Sequence, residues 1–404
     1  MNMKIKSGAF ALALTMAANV TLAQYPPASH LATSWWQWVF ETPASENPLT
    51  DTTGQFGAVN QSGRVWFLAG NPGGTTVRIS GLSASTTYHF RIVGTNTSGT
   101  TYGSDRTLPG NSEIPAALGH ITQDGGHVDE SIAYFEQGLA LDPRNMDLLV
   151  EAAATYAMLR RFPAALKLYD RALDVIPDDP ELLALKAAMY QAEGNLQEAA
   201  KLLIDVNERT TSGLAFETKL DQLRLERNHV EAIRLLQARR AQVPSACDGF
   251  EMLHLAFAQR FVGDTAGAKV TAEQARNTLE PLCKEQADIP DLEVELALAD
   301  AVLGERDSAL KEAERAIMLV PSAKDAVNRP GYEEILALIQ TVLGENSRAI
   351  STLTQLLETP YGSLIYGPAP VTPTLLRLDP IWDPLRGDPA FQKLCEEKQP
   401  RGTP

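Results

Sequence analysis

Between residues 112 and 360, apolar and polar positions alternate with helical spacing in short runs broken by Pro, Gly, Asp or Asn. The runs come in pairs. Pro143 recurs as Pro177, Tyr156 as Tyr190 and Ala165 as Ala199, each on a 34-residue step. Each step holds two amphipathic helices and a turn, which predicts hairpins at 112–145, 146–179 and 180–213. One hairpin cannot bury its apolar face alone, so it covers that face with its neighbours. Ala165 and Ala172 fall two turns apart on one helix face, where small side chains let another helix approach. Tyr156 and Tyr169 are placed to fill the gap between helices. Asp142-Pro143 and Asp179-Pro180 end one hairpin and open the next, with Pro180 in a first turn.

Beyond 213 the step drifts while the turn-then-Ala signal persists. Ala232, Ala268, Ala309 and Ala349 follow Ala199 at intervals of 33, 36, 41 and 40 residues. "VLGERDSAL" and "VLGENSRAI" each place a glycine between two helices. About seven hairpins are expected, the last four irregular: a mainly α fold, an α-solenoid over 112–360. The stretch "LLVEAAATYAMLRRFPAALKLYDRALDVIP" resembles the tetratricopeptide repeat family through Leu149, Tyr156, Ala165, Tyr169, Ala172 and Pro177, and the next unit through Leu183, Tyr190, Ala199 and Leu203.

That resemblance implies that the first helix of each hairpin lines a concave groove. Asp147, Val150, Ala154, Ala157 and Met158 would face it in the second unit, and Glu181, Ala184, Ala188, Gln191 and Ala192 in the third. Members that grip a peptide carboxylate do so with Lys, Arg and Asn, types these positions lack. A shallow, alanine-lined and mildly acidic trough suits an apolar or basic helix.

The flanks differ in character. Lys4 and Lys6, an apolar run from Ala9 to Val20 and the small residues before Ala23 read as a cleavable signal peptide, 1–23. This places the mature chain in the periplasm or outside the cell. Residues 24–70 hold Trp35, Trp36, Trp38 and Trp66, and resemble the opening of a group of exported bacterial proteins. Residues 71–110 carry β-branched runs between turn residues, and Leu82 with Tyr88 matches a tyrosine corner. The segment 74–109 resembles the last strands of a fibronectin type III domain, implying a small and incomplete β-sandwich-like region. Residues 361–404 form a proline-bearing connector and a capping helix, with Trp382 and Leu385 expected on the last repeat and Asp388-Pro389 opening a short helix. That tail resembles the closing segment of repeat arrays in bacterial signalling proteins.

Charge and chemistry narrow the rest. A net charge of −15 argues against nucleic acid. The three cysteines, Cys247, Cys283 and Cys395, fit no zinc or redox spacing; a Cys247–Cys283 bridge and buried thiols both stay open. No phosphate loop, HExxH, GxGxxG or GxSxG occurs. His120, Asp124 and His127 match no ligand spacing, and Asp291, Glu295 and Asp300 are expected on a wet helix face. The expectation is a non-enzymatic, exported scaffold without cofactor or metal: a monomer that holds a protein or peptide and does not stay in the membrane. Two alternatives are a sensory or regulatory module of a signalling system, and a fusion whose N-terminal part has no selected role.

Overall fold

The computed structural model describes residues 112–242, 249–321 and 325–396, together with the backbone of four short strands. The chain divides into two units, Met1–Asn111 and Ser112–Pro404. In the first, β1 (Thr76–Ile79) pairs antiparallel with β2 (Phe90–Val93), and β3 (Thr95–Asn96) with β4 (Gly99–Thr100). The expected signal peptide, the Trp-rich segment and the Leu82–Tyr88 corner lie outside the described residues.

The second unit is a tetratricopeptide-like α-solenoid. Its described helices form seven hairpins. The first three are α1 (Glu113–Asp124) with α2 (Val128–Leu141), α3 (Met146–Met158) with α4 (Phe162–Leu173), and α5 (Pro180–Glu193) with α6 (Leu196–Leu202). Next come α7 (Gly213–Leu225) with α8 (His229–Gln242), and α9 (Gly249–Phe261) with α10 (Thr265–Glu285). The last two are α11 (Pro290–Leu303) with α12 (Arg306–Leu319), and α13 (Arg329–Val342) with α14 (Asn346–Glu358). The tail adds α15 (Pro373–Leu378), a 3-10 turn (Pro380–Leu385) and α16 (Pro389–Glu396).

Local chemistry explains the starts and stops. Asp179 caps α5 by accepting from the backbone N–H groups of Glu181 and Leu182, both at 3.0 Å, and Pro180 supplies the first turn. Asn145 and Ser212 cap α3 and α7 in the same way. The residue just past the first helix of each hairpin takes positive φ: Gly126, Arg160, Gly194, Arg227, Gly263, Gly304 and Gly344. Glycine adopts that conformation without a Cβ clash; arginine does not.

The small residue five positions after each such hinge is buried at every hairpin. Ala165, Ala199 and Ala309 have no exposed surface, Ala232 and Ala268 at most 5%. The drifting step therefore keeps one packing contact while the helices on either side change length; α10 alone runs 21 residues. Tyr169 is fully buried, and Tyr156 is half-buried with its hydroxyl donating to Glu136.

One expectation needs revision. Asp300 is not on a wet face: it is 5% exposed and lies 3.6 Å from Arg276 of the preceding hairpin. Asp291 is exposed, as expected, whereas Glu293 is buried against Arg315. A carboxylate can be buried between packed helices, of one hairpin or of two, where an arginine answers it. Cys283 is a free, buried thiol donating to the Leu292 carbonyl, and Cys247 lies outside the described residues.

Candidate partner-binding groove

The ten predicted groove residues divide by exposure. Asp147 and Glu181 are exposed, and Val150, Ala154 and Met158 are half-buried. Ala157, Ala184, Ala188, Gln191 and Ala192 are buried. Gln191 serves the stack itself: its Nε2 donates to the Thr218 carbonyl at 3.1 Å and to Gln222 Oε1 at 3.0 Å, tying α5 to α7. The Ala192 carbonyl accepts from Thr372 Oγ1 at 3.0 Å. Met158 sulfur accepts from Gln123 Nε2, and its methyl reaches the position of Gly362.

Those last contacts belong to the tail. Residues 361–385 run as a strap along the hinge ends of hairpins two, three and four. At the second hairpin, Arg160 donates to the carbonyls of Leu356 at 2.7 Å, Thr359 at 3.0 Å and Val371 at 3.1 Å. At the third, Thr374 lies against Gly194 and Thr372 meets Ala192. At the fourth, Arg224 Nε donates to Asp379 at 3.0 Å, and Arg227 grips Asp383 with two bonds of 2.7 Å. The strap then settles on the seventh hairpin, where Trp382 and Leu385 are fully buried and the 3-10 turn meets α13 and α14. Asp388 caps α16 by accepting from Ala390 N–H.

A buried polar chain anchors this path. Trp382 Nε1 donates to the Tyr366 hydroxyl at 2.9 Å, which donates to Asp379 Oδ2 at 3.0 Å. Asp379 has no exposed surface and also accepts from Ile381 N–H. Burial works against the Arg224 charge, yet Asp221 and Asp379 hold its guanidinium above the ordinary value. Burial pushes Asp221 up to about 6, with Arg224 opposing. Glu334, under the strap on α13, is driven by burial up to about 8, partly offset by the Ser363 hydroxyl that donates to it.

A second acidic group lies where the first hairpin meets the loop before α13. The Asp124 carbonyl accepts from Ala326 N–H at 2.9 Å. Burial, then Asp325, raises the Asp124 carboxyl to about 6; burial, then Asp147, raises Glu151 to about 7. His120 packs edge-on to Phe135 at 5.2 Å, and burial lowers its pKa. Among the described residues no three His, Cys, Asp or Glu side chains converge as a metal site. Among them, too, no helix is long and apolar enough to cross a membrane.

Between strap and array remains a cavity of about 540 Å³, reached by α5, α7, α8, α9, α11 and α13. Phe250, Phe257 and Phe261 give it an aromatic wall, and Leu364 to Pro368 of the strap close one side. The sequence placed neither strap nor cavity, because both depend on contacts between residues some 200 positions apart, such as Arg160 with Val371. One signal was present: Arg160 and Arg227 stand where the hinge step otherwise places glycine.

Residues 124–189 match the tetratricopeptide repeat family profile. No curated protein matches the sequence. Similar solved structures include a tetratricopeptide repeat protein from Parabacteroides merdae ATCC 43184, 20% identical over 57% of this chain and 85% of that one, with a TM-score of 0.43. Human IFIT1, as a dimer with m7Gppp-AAAA, is 16% identical over 61% of this chain, which spans only 58% of it, with a TM-score of 0.41. PilW, a type IV pilus biogenesis factor, is 17% identical over 61% of this chain and 91% of that one, with a TM-score of 0.28. From the end of α1 through most of α5 the chain is thus similar in sequence to the tetratricopeptide repeat, over the same window in which the 34-residue step is tight.

Proposed function

We propose that this chain is an exported, non-enzymatic scaffold that holds a protein or peptide partner on the inner rim of its second and third hairpins. The observation that supports this most is the exposure pattern on that rim. The deeper positions are buried, with Ala192 met by Thr372 of the strap, while Asp147 and Glu181 are exposed and Val150, Ala154 and Met158 half-buried beside them. A half-apolar ledge with two exposed carboxylates favours an apolar helix with basic flanks. The N-terminal pattern of Lys4, Lys6 and the apolar run supports export, and cleavage near Ala23 would give a mature chain beginning at Gln24.

The test is capture of a partner by the full chain, followed by comparison of variants. Val150→Asp with Met158→Asp is expected to abolish capture. Asp147→Lys with Glu181→Lys alters exposed residues only, leaves folding intact, and is expected to weaken binding at least tenfold at low salt. Undiminished binding by the lysine pair would remove the rim from the interface. One observation favours a regulatory reading as a second choice: the tail that resembles signalling arrays is seated across the array's own inner face.

A further inference from the structure

The cavity beneath the strap is closed on one side by residues 363–368 and walled by one face of α9. Phe250, His254, Phe257 and Phe261 recur at steps of four, three and four, so they share that face. All four are half-buried, while Met252, Leu253, Leu255, Ala256 and Ala258 between them are packed away. The four rings therefore line the cavity with surface that no neighbouring helix covers. A volume of about 540 Å³ suits a small organic molecule.

The charges in the wall are already matched. Asp221 accepts from Arg224 Nη1, and Asp291 accepts from the Tyr332 hydroxyl at 2.7 Å. Glu217 and Glu295 have partners too, so no carboxylate there is left unpaired to draw a cation. Arg224 is held by both Asp221 and Asp379, two carboxylates for one guanidinium, which leaves no free charge to draw an anion. Burial drives His254 down to about 3 and lowers His229, so neither ring adds charge at neutral pH. One donor is unanswered. Arg224 Nη2 is buried and has no acceptor, although Nε and Nη1 of the same side chain are bonded. This side chain stands under the strap, with its guanidinium carbon 5.7 Å from the centroid of the Tyr366 ring. A buried donor without an acceptor is uncommon, and an oxygen that reaches it removes the cost of leaving it unpaired.

We propose that this cavity binds a neutral aromatic molecule with one carbonyl oxygen, its rings against the α9 face and its oxygen on Arg224 Nη2. Aromatic guests meet Phe250 and Phe257 in offset or edge-on contacts that aliphatic ones cannot make. A hydrocarbon of the same shape would fill the space and leave the donor unanswered. A carboxylate would bring its charge beside Asp221 and Asp379. An ammonium would give Nη2 no acceptor. None of Asp147, Val150, Ala154, Met158 and Glu181 lines the cavity, so its ligand and a protein partner on that rim are tested separately.

The experiment uses the full chain and three probes of one shape, benzophenone, diphenylmethane and 4-benzoylbenzoate, measured by equilibrium dialysis. Benzophenone is expected to bind saturably at one site per chain. Its affinity is expected to exceed at least tenfold that of diphenylmethane, which lacks the oxygen, and that of 4-benzoylbenzoate, which adds a charge. Irradiated benzophenone links to the C–H groups beside it, and mass spectrometry is expected to find the label on α9 or on residues 363–368. Phe250→Ala trims one half-buried ring of the wall and is expected to weaken both neutral probes at least threefold while keeping their ratio. Circular dichroism checks that this variant folds, and the probe series and the label on the unaltered chain decide without it. Equal affinity for benzophenone and diphenylmethane, tighter binding of 4-benzoylbenzoate, no saturable binding of benzophenone, a label confined to other parts of the chain, or unchanged affinity in folded Phe250→Ala each overturns the proposal.

Discussion

Glu334 has no exposed surface and stands on α13 where Ser363 of the strap covers it. Burial holds its pKa near 8, so the folded protein keeps this carboxyl protonated at neutral pH. In the unfolded chain the same group ionises near its ordinary value of about 4.3. Between those two values the unfolded state has released the proton and the native state has not. Raising the pH through that window therefore favours unfolding, and the loss is complete above the folded pKa. Wild-type stability to urea is expected to fall from pH 5 to pH 8, with a contribution from this residue of roughly a few kcal/mol. Glu334→Gln keeps the shape and the acceptor and removes the titration. Its urea midpoint is expected to be flatter over the same range, and a slope equal to wild type would mean that the carboxyl is already ionised in the native state.

The hinge at the end of each first helix is the element that joins array and strap. Five of the seven hinge residues are glycine, and the other two, Arg160 and Arg227, carry an arginine with φ of 57° and 59°. A non-glycine residue there costs roughly 1–2 kcal/mol. Arg160 offsets that cost with bonds to three backbone carbonyls, each worth about 1.5–3 kcal/mol for a charged donor to a shielded acceptor. Arg227 meets Asp383 where both side chains are partly exposed, 47% and 39%, a setting in which an ion pair contributes about 0–1 kcal/mol. Arg160→Gly is therefore expected to destabilise by at least about 3 kcal/mol, and Arg227→Gly to stay within about 1 kcal/mol of wild type, measured by urea unfolding. Equal effects would show that the strap is not held at the second hairpin. The hinge step also shows how far the sequence could be read. The alanine spacing located every later hairpin, because one buried small residue per hairpin is a local requirement. The wet-face expectation for Asp300 failed because its arginine sits on a different hairpin, out of register with any local pattern. Ala184, Ala188 and Ala192 of the expected groove are buried, and the strap that meets Ala192 through Thr372 comes from the far end of the unit and leaves no periodic trace.

Stacked hairpins that touch only their neighbours unfold as a nearly one-dimensional array, each unit opening with its own stability. The strap changes that connectivity. It joins the second hairpin to the seventh through Arg160, the third through Thr372 and the fourth through Asp379, while Trp382 and Leu385 are buried against the last. Opening any one of these hairpins then also strips contacts from the strap, so their local stabilities become coupled. Removing residues 361–404 is expected to expose Ala188 and Ala192, leave Asp221 and Arg224 without Asp379, and return the array to piecemeal opening. Hydrogen exchange followed by mass spectrometry on the full chain and on the truncated one reads this directly. In the full chain, α3, α5 and α7 are expected to exchange together, at rates set by one shared opening. In the truncated chain they are expected to lose protection at least tenfold and to exchange at separate rates, with α10 and α12 on the outer layer changing least. Unchanged protection of α3, α5 and α7 after truncation would show that neighbour stacking alone stabilises the solenoid and that the strap is a passive cover.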